Sequence, residues 1–219
     1  MANPDLEATA FVGKITAGVT HELQNVLAII KESSGLMDDL MAFSEEIPAK
    51  LKDRFHQANR SIDNQVLRGV QLLRNLNGLA HSTDDSMIDI DLFETIKQLI
   101  ELTHRFAKTR QITLSVEKPG TQIQIQSSCI QFQMAMFHAF ECCMTALLPN
   151  GNIVISLKKI SETVLIILHC DGKFKSEAKL DDAANISNWV VMTKMLILLG
   201  GTAEMNPVKD NLVLSLSDK

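Results

Sequence analysis

The sequence predicts an α+β protein in two parts, a long N-terminal helical hairpin followed by an α/β sandwich. Three observations carry this prediction. Apolar residues recur at helical spacing from about Pro4 to Phe43 and again from about Ala49 to Ala80, with SEEIP (Ser44 to Pro48) as the break between the two runs. The polar, turn-rich stretch HSTDDS (His81 to Ser86) ends that texture. Beyond it, short alternating apolar runs are interleaved with helical ones, as in a sheet packed under helices. The parts are therefore placed at residues 1–82 and 87–219.

In the second helical run Leu51, Phe55, Ile62, Val66, Val70, Leu73 and Leu76 are spaced by three, four or seven and form one apolar stripe. Two long helices with a short connection make a hairpin. No third helix is present to cover it, so a homodimeric four-helix bundle is expected to bury its apolar surface. After the boundary the expected elements are a strand at Ile88 to Asp91, a helix from Leu92 to Lys108, and strands at Ile112 to Glu117 and Gln122 to Gln126. A helix from Cys129 to Leu147 follows, and PNGN (Pro149 to Asn152) turns into paired strands at Ile153 to Lys159 and Val164 to His169. A helix from Ile186 to Leu199 and a hairpin around Pro207 to Asp210 complete a single sheet under helices.

Composition narrows the function classes. The 219 residues are 46% hydrophobic and 21% charged, with a formal net charge of -5, which gives no reason to expect nucleic acid as a partner. No run of eighteen apolar residues occurs, and MANPDLEATA has neither the basic nor the apolar region of a secretory signal, so neither a membrane span nor export is expected and the cytoplasm is the expected location. Cys129, Cys142, Cys143 and Cys170 show no CxxC spacing and read as reduced packing thiols. Met134, Met136, Met144, Met192 and Met195 read as core filling, and His56, His81 and His104 as surface or satisfied residues.

The stretch TAGVTHELQNVLAII (Thr16 to Ile30) carries the chemistry. At about 100° per residue, Ile15, Val19, Leu23, Val26 and Ile30 fall within an arc of roughly 80°, and His21 lies nearly opposite its centre. Ala17, Gln24, Asn25 and Ala28 share that far face, so small neighbours leave the imidazole open to a docking protein. The carboxylate of Glu22 is placed to accept the hydrogen of one ring nitrogen, making the other the better nucleophile. Asn25, one turn on, is placed to hydrogen-bond a phosphoryl group or a water. The plainer reading, a solvated surface histidine, applies to most histidines in such positions.

FVGKITAGVTHELQNVLAII (Phe11 to Ile30) resembles the H-box of the dimerisation and histidine phosphotransfer domain of bacterial sensor histidine kinases, in particular the HExxN subgroup. The resemblance implies that His21 is the phosphoacceptor, Glu22 its acidic neighbour and Asn25 the residue linked to dephosphorylation of the partner receiver domain. Where the family usually has a proline after the asparagine this chain has Val26, which removes a helix kink and does not obstruct phosphotransfer.

The element order after Ser86 resembles the ATP-binding domain of the same kinases, with Phe132 to Ile155 in the place of the N-box helix, its turn and its strand. The family's magnesium-binding asparagine falls on Cys142 and the preceding motif asparagine on His138. A thiol is a poor ligand for Mg²⁺, a hard cation. HCDGKF (His169 to Phe174) stands where the DxGxG loop belongs but has one glycine, so Asp171 lacks its glycine-lined pocket. ISNW (Ile186 to Trp189) replaces the glycine-rich lid hinge. With the H-box intact and the nucleotide elements degenerate, the resemblance implies a histidine phosphotransferase that relays phosphoryl groups between response-regulator receiver domains. The chain is then expected to bind no cofactor, ATP included, with Mg²⁺ supplied on the receiver.

Three other readings stay open: an active histidine kinase holding Mg²⁺ through Glu141 or water, a non-catalytic regulator that binds kinases or receivers, and a metal site at His138 and Cys142 extended by Cys143 or His169. Trp189, the single tryptophan, is expected against the sheet, or as a plug in the former nucleotide cleft.

Overall fold

The computed structural model describes residues 4–42, 49–82, 87–175, 183–206 and 211–217. Two long helices, α1 (Pro4–Ala42) and α2 (Ala49–His81), pack against each other along the N-terminal part. Gly69 of α2 makes their approach close, since a Cβ there would stand 3.3 Å from the Val26 side chain. The SEEIP break and most of the HSTDDS linker lie outside the described residues, as does the turn at Pro207 to Asp210.

After β1 (Ile88–Asp91) comes α3 (Leu92–Thr109), started by the Asp91 carboxylate, which accepts from the backbone N–H of Glu94 at 3.0 Å. β2 (Thr113–Val116), β3 (Gln124–Ser127), α4 (Cys129–Ala146), β4 (Asn152–Ile160) and β5 (Thr163–Asp171) follow, then α5 (Ala183–Leu198), β6 (Thr202–Asn206) and β7 (Asn211–Ser217). The single sheet expected from the sequence is two. β1 and β3 form an antiparallel pair of their own, and the other strands form a five-stranded sheet in the order β2-β4-β5-β7-β6. The reason is topological: β2 joins β4 in parallel through a connection that contains α4, which leaves β3 to pair with the distant β1. Such a long-range pairing has no local signature.

Alternation places Ile153, Ile155 and Leu157 of β4, Val164, Ile166 and Leu168 of β5, and Leu212, Leu214 and Leu216 of β7 on one buried face. The five methionines read as core filling are all buried. The hydrophobic cluster continues into the long helices through Phe11, Ile15 and Val19 of α1 and Leu72 and Leu79 of α2. One continuous core thus holds the N-terminal half of α1 against α3 and α4.

The stripe assigned to α2 is only partly buried. Ala58, Gly69, Leu72, Asn75 and Leu79 face inward, whereas Val66, Val70 and Leu73 are 47, 43 and 54% exposed. α2 carries two apolar faces, and periodicity reports the helix without saying which face its own chain covers.

Candidate functional site

On α1 the expected arc is turned inward: Ile15, Val19 and Val26 are buried and Leu23 and Ile30 half-buried. His21 is exposed, together with Ala17, Gln24, Asn25 and Ala28. The helix is held hard from behind at this level. Gly18 is buried under the Phe106 ring of α3, where a Cβ would meet ring carbon Cζ at 3.1 Å. Close packing behind the helix and the methyl side chains of Ala17 and Ala28 beside it leave the imidazole accessible. Among the described residues its ring nitrogens have no hydrogen-bond partner.

Glu22 differs from expectation in its partner. Its carboxylate is buried and accepts from the Arg68 guanidinium of α2, so it does not engage the ring beside it. One residue along a helix is a turn of about 100°, which takes Glu22 from the wet face to the edge of the buried arc. A carboxylate taken out of water needs a cation, and α2 supplies one.

The α4 residues His138, Glu141 and Cys142 meet a different environment. Glu141 is buried and bound in two-pronged fashion by Arg110, with both N–H···O distances 3.0 Å, and Lys14 of α1 lies 3.4 Å from its Oε2. Lys14 also stands over the Phe137 and Phe106 rings, 4.8 and 5.4 Å from their centroids. Cys142 is buried, and its thiol is pushed up to about 12 by desolvation and by the neighbouring Glu141 charge. Cys143, hydrogen-bonded to Cys170 and fully enclosed, is also held protonated. His138 Nδ1 bonds Asn188 Oδ1 at 2.8 Å, tying α4 to α5.

Asp171 is exposed at the end of β5, and residues 173–175 fold back onto the end of α4 through Leu148 N–H to Lys173 O and Lys175 N–H to Ala146 O. Trp189 is half-buried against the core. The residues present do not fit Mg²⁺ in the family's manner, because the matching position offers a protonated thiol and the adjacent carboxylate is already shared between two cations. Among the described residues no three His, Cys, Asp or Glu side chains converge as metal ligands, so His138, Cys142, Cys143 and His169 do not form the zinc-like cluster considered above. Sequence reading missed Arg68, Arg110, Lys14 and Asn188. The signal that existed was an acid in a buried phase, Glu22, and an acid in an apolar helix, Glu141, each of which demands a distant cation.

No helix among the described residues is long and apolar enough to cross a membrane. No family model and no curated protein matches the chain. Among solved structures, the nucleotide-free catalytic domain of the histidine kinase ThkA is similar, with a TM-score of 0.52 at 12% identity over 61% of this chain and 97% of that one. A second nucleotide-free form of the same domain gives 0.51 at 13% identity, with the same coverage. The histidine kinase AdeS of Acinetobacter baumannii spans 91% of this chain and 98% of its own at 13% identity, with a TM-score of 0.46. The chain thus contains the fold of a histidine kinase catalytic domain.

Proposed function

We propose that this protein is a histidine phosphotransferase of two-component signalling, relaying a phosphoryl group between receiver-domain aspartates through His21. The observation that carries the reading is the exposed imidazole on a rigidly backed helix, flanked by Ala17, Gln24, Asn25 and Ala28. A lone pair on a ring nitrogen attacks the phosphorus of an aspartyl phosphate, the P–N bond forms, the P–O bond breaks, and the aspartate leaves as carboxylate. The second receiver's aspartate reverses the step. Such transfer depends on in-line positioning more than on acid chemistry, which a fixed helix provides. Mg²⁺ belongs to the receiver in this scheme, and the exposed Asn25 orients a water in its hydrolytic branch.

The environment of α4 supports a chain that does not use ATP. Cys142 offers no hard ligand, Glu141 is committed to Arg110 and Lys14, and His138 is committed to Asn188. The active-kinase reading needs Mg²⁺ held through Glu141 or water, and the Glu141 route must break a buried ion pair first. The exposed Val66, Leu67, Val70 and Leu73 of α2 support assembly with a second copy into a four-helix bundle.

The test compares acid-labile label on the wild type and His21→Ala after incubation with a phosphorylated receiver domain, and separately with labelled ATP and Mg²⁺. The expected result is label from the receiver alone, abolished by the substitution. Label from ATP would establish a kinase, and no label from either source would leave a binding module.

A further inference from the structure

The five-stranded sheet has an open side at β2, which pairs only with β4 among the described strands, and in parallel. The N–H groups of Thr113 and Glu117 donate to Gly151 O and Ile155 O at 3.0 and 2.8 Å, so alternate residues of β2 spend their backbone groups on β4. Leu114 and Val116, one residue out of phase, turn theirs the other way, and no backbone partner meets them among the described residues. Edge strands are commonly blunted by a charged side chain, a proline or a bulge, and β2, reading TLSV in unbroken register, carries none of these.

Beside this edge lies a groove of about 530 Å³ between β2 and the C-terminal half of α3. No residue of β4 lines it, which puts it on the open side of β2. Half-buried Ile100 of α3 and Leu114 of β2 contribute apolar surface, and exposed His104 and Lys108 stand one turn apart along the α3 side. The end where α3 turns into β2 is built by two left-handed residues, Gln111 (φ 57°) and Asn150 (φ 70°), joined by the bond from Asn150 N–H to Gln111 O at 2.8 Å. Lys108 is the one fully charged side chain in the lining, and no carboxylate lies within ion-pair distance of it among the described residues.

Edge and groove ask for one kind of ligand. An extended peptide brings N–H and C=O groups at the spacing that Leu114 and Val116 present, and it turns every second side chain to the groove side of the sheet. An aliphatic side chain there suits Ile100 and Leu114, and a carboxylate two residues away, on the same face, suits Lys108. We propose that β2 and the α3–β2 groove dock an extended segment of a partner protein as a sixth strand of the sheet, with an aliphatic side chain in the groove and an acidic one toward Lys108. The docking requires nothing of His21, so it stands or falls apart from the phosphotransfer reading.

Selection of a displayed library of random heptapeptides on the full chain, followed by fluorescence-polarisation titration of the enriched peptides, tests it. The expected outcome is enrichment of an aliphatic and an acidic residue two positions apart, with saturable binding that His21→Ala leaves unchanged. Methylating the peptide's backbone nitrogens one at a time is expected to weaken binding about tenfold at every second position and little between, as a paired strand requires. Leu114→Pro, which removes an N–H that β4 does not use, is expected to weaken it about tenfold, and Lys108→Glu about fivefold. Where Leu114→Pro disturbs folding, the methylation series reads the same bonds from the peptide side. The proposal is overturned by the absence of an enriched pattern, by binding without the alternating sensitivity, or by binding that survives Lys108→Glu. Self-association lost in Leu114→Pro, with no peptide bound, would give the edge to a second copy instead.

Discussion

Helices α1 and α4 each carry a histidine and an acid at the positions that matter, and they treat them oppositely. On α1, His21 is exposed without a hydrogen-bond partner among the described residues, and Glu22 turns inward to Arg68. On α4, His138 is bonded to Asn188, Glu141 to Arg110 and Lys14, and Cys142 is buried. α1 has one wet face and α4 has almost none. Chemistry on a helix needs a face that packing has not consumed, and only α1 retains one. The same packing that closes α4 holds α1 rigid, since Phe137 of α4 meets Phe11 of α1 at 5.3 Å and Phe106 of α3 at 6.0 Å.

That contrast is tested most severely at Phe137. Phe137→Ala opens the junction of α1, α3 and α4 and is expected to cost about 4 kcal/mol by chemical denaturation, whereas Gln24→Ala on the wet face of α1 should change stability by less than about 0.5 kcal/mol. Because the core is continuous, the variant is expected to keep a single unfolding transition; two separate transitions would show that the long helices and the sandwich are energetically independent.

The next effect belongs to Arg110. Arg110→Ala leaves Glu141 buried with only the half-exposed Lys14 to compensate it, and a loss of about 3 kcal/mol is expected. Restoring stability with the double variant Arg110→Ala, Glu141→Leu would confirm that the loss reflects a stranded charge and not lost packing. An unchanged denaturation midpoint in Arg110→Ala would show that water already reaches Glu141.

The smallest effect is in the pH dependence of His138. Burial holds its pKa below the ordinary 6.5, with Lys14 pushing the same way, while the Asn188 bond, Glu141 and Glu7 pull it up. Below about pH 6.5 the unfolded chain takes up a proton that the folded chain refuses, so stability falls as pH drops through that value and levels off below the folded pKa. Melting temperatures at pH 7.5 and 5.5 are expected to differ less in His138→Gln than in the wild type. Equal differences would place the acid sensitivity elsewhere.

Much of this molecule was legible from local pattern. The helices and strands fall close to where periodicity places them, because a segment's period survives whatever it packs against. The exposure of His21 followed from its angle on α1, and the burial of Glu22 follows from the same wheel, since it lies only about 20° outside the apolar arc. The division into two sheets was not legible, nor was which stripe of α2 its own chain buries. Both depend on long-range contacts, β1 with β3 across α3 and α2 with α1 and α3.

The sequence by itself determined the elements and their order and the wet face that bears His21. These are properties of residue type and phase along one segment. Only the tertiary structure decided that Arg68 takes Glu22, that Arg110 and Lys14 share Glu141, and that the helical and sandwich parts share one core. A buried charge announces that it needs a partner, but many cations along the chain can answer, and the choice among them is made by the packing that brings one within reach.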